Sequence, residues 1–268
     1  MNADRRFLDV AGHRLECVRL RGREAAAPTL VFLHEGLGSL DLWRGFPARV
    51  VEATGCPALV YSRWGHGRSD PLVAPRAPDY LSYEAREALP ALLAATGIAN
   101  PLFVGHSDGA TIALIHAATG AAVLGIVAMA PHAFVEEITL AGVRATRRLY
   151  ETTDLRARLA RWHEDGDATF HGWSDIWLDP RFRDWSIASL LPAVRCPLLL
   201  IQGEDDEYGS LAQLDAIASA AGGPAEMLAL AGCGHTPWKD RADVVIAAIA
   251  RFVAQCRAPD RGATSRHP

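Results

Sequence analysis

The sequence predicts an α/β protein: a mostly parallel central sheet flanked by helices, with a helical lid inserted between two strands. Short apolar segments alternate with longer amphipathic segments along most of the chain, a pattern typical of strands connected by helices. The later strand segments are continuous apolar runs, as expected for strands that helices bury on both faces. The predicted strands are 15–20, 29–33, 58–61, 102–104, 124–129, 198–202 and 227–230. The predicted helices lie at about 41–53, 79–96, 108–119, 210–221 and 241–255.

One stretch, residues 132–190, departs from this alternation. It has helical periodicity without a convincing strand and falls between two predicted strands, so we interpret it as an inserted helical cap. Residues 1–131 and 191–256 then form the core. Residues 257–268 have no periodic apolar pattern, and we expect them to form a disordered tail.

The cap is rich in tryptophan, with Trp162, Trp173, Trp177 and Trp185. Large aromatic side chains of this kind commonly fill the interior of a small helical unit and its contact with a core. Alternatively, one or two of them line an apolar pocket above the core. Trp173 and Trp177 are the candidates for this second role.

The composition fits one large domain, or a core with an inserted cap, and indicates neither a nucleic-acid nor a membrane partner. The chain has 268 residues, 50% of them hydrophobic, and a formal net charge of −4. It has no basic stripe and no apolar stretch long enough to span a bilayer. The five cysteines are scattered without CxxC spacing, and the first residues lack the apolar run of a leader peptide. We therefore expect a cytoplasmic monomer or homodimer with free thiols.

A serine stands where a predicted strand meets a predicted helix. Residues 105–109 read Gly-His-Ser-Asp-Gly and lie directly between two apolar runs. A strand that turns sharply into a helix with a serine at the apex is a nucleophile elbow. Glycine fits at Gly105 and Gly109 because strand and helix pass close together there and a side chain would collide. Ser107 is therefore the candidate nucleophile.

Five motifs follow the predicted strands in a fixed order. They are His34-Glu35-Gly36-Leu37-Gly38, Gly65-His66-Gly67-Arg68-Ser69, the elbow, Gly203-Glu204-Asp205-Asp206 and Gly234-His235. With these motifs in this order, the sequence over about residues 10–255 resembles the α/β-hydrolase superfamily, and within it the serine hydrolases with a helical lid. The resemblance implies the α/β-hydrolase fold and catalytic residues in the chain order serine, acid, histidine.

A serine nucleophile needs a base and an acid. Its hydroxyl is weakly nucleophilic near neutral pH, and an imidazole titrates in the range needed to take its proton. His235 follows the last predicted strand, where the superfamily carries its base. Four acids follow strand 198–202, and one of them would orient the imidazole. The superfamily's spacing favours Asp206 for this role, with Asp205 as the alternative.

Neither the segment after the preceding strand nor the histidine beside Ser107 provides a candidate catalytic residue. Some relatives place the acid one strand earlier, but residues 129–132 read Met-Ala-Pro-His and contain no carboxylate. His106, next to the serine, is expected to point away from the apex and to have a structural role.

Hydrolysis also needs N–H donors for the oxyanion of the tetrahedral intermediate. The amide of Asp108, which follows the nucleophile at the start of a helix, is one candidate. By resemblance, the second donor is the residue two after the histidine of loop 34–38, which is Gly36. Glu35 stands where the family more usually has glycine, so the donor within this loop stays open. Glu35 is itself a candidate substrate-binding residue.

No metal or cofactor motif is complete. His34-Glu35 begins an HExxH zinc motif, but Gly38 stands where the second histidine belongs. Residues 65–70 begin like a dinucleotide fingerprint without its third glycine, and no GxxxxGK sequence occurs. We expect a reaction that needs neither a metal nor a cofactor.

The predicted function is hydrolysis of a small carboxylic ester with an apolar or aromatic portion, through an acyl-enzyme on Ser107. A carbon–carbon hydrolase of a ring-cleavage product is an alternative, although such enzymes typically carry tryptophan directly after the catalytic histidine. Here Thr236 and Pro237 precede Trp238.

Two further alternatives stay open. An acyl thioesterase would use the arginines of the cap to meet an anionic carrier, although their helical spacing favours a solvated helix face. Those arginines are Arg144, Arg147, Arg148, Arg156, Arg158 and Arg161. A receptor that keeps the fold and the catalytic residues without turnover belongs to another class of function.

Overall fold

The computed structural model describes residues 5–24 and 26–258, which contain one eight-stranded sheet. The strands are β1 (Arg5–Val10), β2 (His13–Leu20), β3 (Leu30–Leu33), β4 (Ala58–Tyr61), β5 (Leu102–His106), β6 (Gly125–Met129), β7 (Leu198–Gly203) and β8 (Ala225–Leu230). Their spatial order is β1-β2-β4-β3-β5-β6-β7-β8. The pairs β1–β2 and β2–β4 are antiparallel, and all other pairs are parallel. The predicted mostly parallel sheet is confirmed.

β1 was absent from the predicted strands. Its side chains are largely exposed because it forms the edge of the sheet, so it lacks the apolar run that marks the inner strands. It joins β2 through Ala11 and Gly12, whose φ angles of 49° and 83° are those of a tight hairpin turn. Glycine is favoured in such a turn and alanine is not, so the sequence signal for the hairpin is weak.

Helices flank the sheet. They are α1 (Phe46–Thr54), α2 (Tyr80–Tyr83), α3 (Leu89–Thr96), α4 (Asp108–Ala117), α5 (Glu137–Thr152), α6 (Leu155–Leu159), α7 (Gly166–Leu178), α8 (Ala212–Ala220), α9 (Pro237–Asp240) and α10 (Ala242–Arg257). Leu30 and Phe32 of β3 belong to one apolar cluster with α1 and α10. Val31 and Leu33 belong to the other, with α3, α4 and α8. The alternation follows the two-residue period of a strand, so each face of the sheet has its own core.

Two predicted helices are divided into shorter pieces. Region 79–96 contains α2, a π-helical turn at Glu84–Ala88 and α3, which has a proline in its first turn. Region 41–53 contains a 3-10 turn at Asp41–Trp43 and then α1, which also has a proline in its first turn. Proline lacks an N–H donor and is tolerated in the first turn of a helix, so α1 and α3 begin just before their prolines.

The segment between β6 and β7 carries α5, α6 and α7. Within residues 132–190, the one strand-like pairing is the single bridge between Phe134 and Ser186. The division of the chain into core and cap stays a prediction. α10 continues to Arg257, and residues 259–268 of the predicted tail lie outside the described residues. None of the helices in the described ranges is long and apolar enough to cross a lipid bilayer.

Gly105 and Gly109 lie where α4 passes close to two strands. A Cβ atom on Gly109 would collide with the carbonyl oxygen of Leu33 at the end of β3. A Cβ atom on Gly105 would lie 2.6 Å from the backbone nitrogen of Ala110. These neighbours are backbone atoms that cannot rotate away, so close packing of α4 requires glycine at both positions.

We expect Gly109→Ala to lower the free energy of unfolding by about 2 kcal/mol or more, because the added methyl group forces α4 away from β3. Chemical denaturation of the purified variant measures this loss. Gly45→Ala is the matched control, since Gly45 is exposed, its φ is −84°, and no atom lies within 4 Å of its Cβ position. It should change stability by less than about 0.5 kcal/mol. Equal stability of the two variants would contradict the packing argument.

Candidate active site

Ser107 lies at the sharp turn between β5 and α4. Its φ and ψ are 52° and −119°, a conformation that is costly for any residue except glycine. Backbone hydrogen bonds hold it there: the N–H of Ser107 donates to the carbonyl of Met129 at 2.8 Å, and its own carbonyl accepts from Thr111 at 3.0 Å. The side chain is 6% exposed and lines a cavity. This is the geometry expected of a nucleophile elbow.

His235 and Asp206 form a close pair at the ends of β7 and β8. Nδ1 of His235 lies 2.9 Å from both carboxylate oxygens of Asp206. Asp206 also accepts from the backbone N–H of Tyr208 at 2.8 Å and from Nε2 of Gln202 at 3.1 Å. Asp205 is exposed on the surface. The structure therefore brings Asp206, rather than Asp205, against His235.

The pair shifts the titration of both groups. Burial lowers the pKa of His235, but the hydrogen bond and charge of Asp206, with Glu207 and Glu35, outweigh burial and raise it. Burial raises the pKa of Asp206, but His235 and the N–H of Tyr208 outweigh burial and lower it. A carboxylate on Nδ1 requires the proton at that atom, so Nε2 of the neutral imidazole is left as a proton acceptor.

The loop after β3 forms a second wall of the site. The carbonyl of Glu35 accepts from Nδ1 of His34 at 2.7 Å, and the carbonyl of Gly36 accepts from Nε2 of His66 at 3.0 Å. A Cβ atom on Gly36 would collide with the indole of Trp173, so the loop and α7 are in tight contact there. Gly36 and Glu35 both line the cavity, and their roles toward a substrate stay predictions.

His34 is held by the protein on both sides of its ring. The backbone N–H of Arg63 donates to Nε2 at 3.0 Å, while Nδ1 donates to the carbonyl of Glu35. Both ring nitrogens therefore form hydrogen bonds, and the ring connects the loop after β3 to the loop after β4. Within the described ranges, no three His, Cys, Asp or Glu side chains are grouped so that they could hold a metal ion.

His106 lies beside the site, whereas the sequence predicted that it points away from the apex. Its ring centroid is 5.1 Å from that of His235, and its Nε2 donates to the carbonyl of His235 at 2.7 Å. Its Nδ1 contacts Trp238 Nε1 at 3.2 Å and Glu35 Oε2 at 3.3 Å. His106 is the last residue of β5, and its ring binds the backbone of the loop that carries His235, so its contacts are those of a structural residue.

Glu35 is an acid beside the nucleophile. Burial raises the pKa of Glu35, but the hydrogen bond and charge of His106 outweigh burial and lower the pKa to about 2. Glu35 is therefore a carboxylate at neutral pH, held against His106 rather than against a lysine or arginine side chain. A negative charge on the lining of the cavity that contains Ser107 disfavours anionic groups there.

The cavity has a volume of about 420 Å³. Of the predicted site residues, Ser107, His235, Glu35, Gly36, Trp173 and Trp177 line it, while Asp108 and Asp206 lie behind its wall. Trp162 and Trp185 are not among the lining residues. Two tryptophans of α7 thus line the same cavity as the serine.

The sequence reasoning missed several lining residues, among them His132 and Tyr208. His132 lies between Trp177 and His235, with ring centroids 4.9 Å and 5.9 Å away. Burial and the charge of His235 lower the pKa of His132 to about 4, so its imidazole is neutral. Its position after β6, at the same sheet edge as the elbow, was a signal that the sequence contained. Tyr208 carried no comparable signal.

The elements that build the site correspond to a known family. A model of the alpha/beta hydrolase family matches residues 30–248, from β3 into α10. The chain belongs to the alpha/beta hydrolase family. No curated protein sequence gives a significant match.

Solved structures resemble this alpha/beta hydrolase over most of its length. Proline iminopeptidase from Mycobacterium smegmatis aligns with a TM-score of 0.74 at 18% identity, covering 94% of this chain and 98% of that one. The enol-lactonase from Burkholderia xenovorans LB400 gives 0.72 at 21% identity, with coverage of 93% and 100%. The meta-cleavage product hydrolase from Pseudomonas fluorescens IP01 gives 0.72 at 17% identity, with coverage of 93% and 97%. At these identities the likeness shows a shared fold, and one fold hosts several reactions.

We expect Asp206→Asn to lower the pKa of His235, because the largest contributions that raise it come from that carboxylate. NMR titration of the histidine ring measures the change directly and does not depend on any activity. Asp205→Asn is the matched control, since it removes a neighbouring acid that is exposed. A pKa of His235 that responds to Asp205→Asn and not to Asp206→Asn would contradict the observed pairing.

Proposed function

We propose that this alpha/beta hydrolase is a serine carboxylesterase that cleaves a small ester with an apolar or aromatic portion. One observation carries the proposal. Ser107 in its strained turn and His235 with its buried carboxylate partner line the same cavity, together with two tryptophans of the cap. A nucleophile, a base and an apolar binding surface are the parts that ester hydrolysis requires.

In the proposed reaction, Oγ of Ser107 attacks the ester carbonyl while Nε2 of His235 takes its proton. Asp206 holds the other ring nitrogen and stabilises the imidazolium that forms. The oxyanion of the tetrahedral intermediate accepts hydrogen bonds from the backbone N–H groups of Gly36 and Asp108. His235 then protonates the leaving alcohol. Water repeats the sequence on the acyl-enzyme and releases the acid.

The walls of the cavity support an uncharged substrate with an apolar portion. Trp173, Trp177, Val143 and Leu155 contribute apolar surface to the lining, whereas Glu35 contributes a negative charge to it. An anionic group near the nucleophile would be repelled by that carboxylate. A neutral ester avoids this repulsion and buries its apolar part against the indole rings.

The carbon–carbon hydrolase alternative receives no support from the tryptophan after the histidine. Trp238 packs against Trp43 and Phe46, with ring centroids 5.2 Å and 5.7 Å away, and is not among the lining residues. The side chain that the sequence comparison singled out thus lies in the core below the site. Thr236, which precedes it, lines the cavity instead.

The thioesterase alternative would need arginines directed at the substrate. Arg144, Arg147 and Arg156 are paired with acids on the surface. Among the six cap arginines, which all lie in the described part of the chain, Arg158 lines the cavity, and its side chain is 61% exposed beside Asp154. One exposed arginine at the mouth is a weak anchor for an anionic carrier.

We expect Ser107→Ala to lower kcat/KM for a short p-nitrophenyl ester by about 10⁴-fold or more, because the acyl-enzyme can no longer form. Ser219→Ala is the matched control, since Ser219 is exposed on α8. It should keep wild-type activity. Full activity of Ser107→Ala would refute the mechanism, and tight ligand binding without turnover in the wild type would favour a receptor.

The bond that is cleaved is tested on the same two proteins. Wild type and Ser107→Ala are assayed with a neutral ester, an acyl-CoA thioester and a vinylogous diketone. We expect the ester to give the highest kcat/KM, since it needs neither a cationic anchor nor carbon–carbon cleavage. A higher kcat/KM for the thioester would favour a thioesterase, and a higher kcat/KM for the diketone would favour a carbon–carbon hydrolase.

We expect Trp173→Ala to raise kcat/KM for a p-nitrophenyl ester of a long acyl chain relative to the acetate by about tenfold, because the indole fills space beside Ser107. Trp162→Ala is the control: Trp162 belongs to the same cap and packs under Arg44 rather than in the cavity. An unchanged chain-length preference in Trp173→Ala would show that Trp173 does not limit the acyl group.

A further inference from the structure

Arg63 is a fully buried arginine directly beneath the proposed oxyanion site. It follows β4, and its side chain has 0% exposure. One nitrogen, Nη2, lies 3.1 Å from the carbonyl oxygen of Glu35 and 3.4 Å from Oδ2 of Asp108. These two residues belong to the two segments that flank Ser107 in space, the loop after β3 and the first turn of α4. Among the described hydrogen bonds, Nη2 of Arg63 is the one donor atom that contacts both segments.

Several buried polar atoms at and around Arg63 lack a hydrogen-bond partner in the described part of the chain. They include Nε and Nη1 of Arg63, together with Oε1 of Glu84 and Oδ1 of Asp108. The nearest approach of Glu84 to Arg63 is 3.9 Å. Burial lowers the pKa of Arg63, but Glu84 and Asp108 outweigh burial, so the guanidinium remains charged. Arg63 is therefore a buried charge that lies within ion-pair distance of two buried acids, Glu84 and Asp108.

The contact with Glu35 acts on the peptide group that carries the predicted donor. The carbonyl of Glu35 and the N–H of Gly36 belong to the same planar peptide unit and point in opposite directions. That carbonyl accepts from Nδ1 of His34 at 2.7 Å, from the backbone N–H of Gly38 at 3.0 Å and from Nη2 of Arg63 at 3.1 Å. Arg63 is the charged donor of the three, and it polarises the peptide unit so that the N–H of Gly36 becomes a stronger donor.

The contact with Asp108 acts on the other donor. The side chain of Asp108 accepts from Nη2 of Arg63 and from the hydroxyl of Tyr80, the latter at 3.0 Å. Its backbone N–H is at the start of α4, directly after Ser107. The same nitrogen of Arg63 therefore bridges the carbonyl of Glu35 and the side chain of Asp108, the two residues next to the predicted donors.

We propose that Arg63 is a positioning residue that sets the spacing and orientation of the two oxyanion-binding N–H groups. The proposal rests on the proposed serine hydrolase function. Arg63 does not touch the substrate, since it is not among the cavity-lining residues. Its effect therefore falls on the tetrahedral intermediate and not on substrate binding, because the oxyanion needs both donors at hydrogen-bond distance and the ground-state ester does not.

Arg63→Met and Arg63→Lys test the proposal. We expect Arg63→Met to lower kcat for a neutral ester by about 10²-fold, with KM changed less than about threefold. The inhibition constant of a boronic acid that mimics the tetrahedral intermediate should rise in parallel with the loss in kcat/KM. Arg63→Lys keeps the charge and should recover part of kcat. Circular dichroism and thermal unfolding show whether each variant is folded.

Arg76→Met is the matched control. Arg76 is also buried and also lies near Glu84, at 3.7 Å, but it forms no hydrogen bond with Glu35 or Asp108. We expect a loss of stability similar to that of Arg63→Met and a much smaller loss of kcat. An equal fall in kcat in both variants would overturn the positioning role. So would a fall in kcat accompanied by a comparable rise in KM in Arg63→Met.

A second measurement uses the wild-type protein, so it tests the proposal even if the Arg63 variants do not fold. A crystal structure with the boronic acid bound to Oγ of Ser107 should place a boronate oxygen within hydrogen-bond distance of the N–H groups of Gly36 and Asp108. Nη2 of Arg63 should remain on the carbonyl of Glu35. An adduct whose oxygen binds elsewhere, or one that separates Arg63 from Glu35, overturns the inference alone. The absence of any adduct on Ser107, with a fully active Ser107→Ala, overturns the proposed function instead.

Discussion

The close approach of α4 to the carboxyl end of β3 is the constraint on which the site depends. Only a hydrogen atom fits between Gly109 and the carbonyl of Leu33, so the first turn of α4 lies directly against the residues that follow β3. That contact sets the distance between Ser107 and the loop containing Gly36. It also forces the turn into α4 to be abrupt, which is why Ser107 has a positive φ angle.

The parallel sheet brings the remaining residues to the same place. The carboxyl ends of adjacent parallel strands meet at one edge of a sheet, so segments far apart in the chain become neighbours there. Glu35 follows β3, Ser107 follows β5, His132 follows β6 and His235 follows β8, and all four line one cavity. Residues that follow the strands on this edge were therefore predictable as neighbours once the strands had been recognised.

Other features depended on contacts that periodicity does not contain. The spacing after β7 favoured Asp206, but its burial and its contacts with His235, Tyr208 and Gln202 are what distinguish it from the exposed Asp205. The exposed edge strand β1 has no apolar run, so pattern reasoning omitted it. The direction of a side chain at the end of a strand depends on what packs below it.

The contacts of His106 could not be predicted from the sequence for that reason. The alternation of residues along β5 does not show that Trp238 and the loop of His235, about 130 positions later in the chain, contact the ring of His106. Arg63 and Tyr208 likewise carry no motif, because their roles arise from loops that are adjacent only in the folded chain. The choice of which tryptophans face the cavity also depends on how the cap rests on the core, since Trp173 packs on Gly36.

The charges around the cavity are divided between two sides in a way that favours the proposed intermediate. Acyl transfer creates an imidazolium at His235 and an oxyanion a few ångströms away, so one environment cannot stabilise both. Asp206, Glu207 and Glu35 surround His235, and each raises its pKa. On the opposite side, the buried guanidinium of Arg63 lies behind the peptide groups that would bind the oxyanion. Glu35 contributes to both sides: its carboxylate raises the pKa of His235, and its carbonyl accepts from Arg63 and belongs to the peptide unit of the proposed donor. A glycine at this position would supply the peptide group and would leave His235 with one negative neighbour fewer.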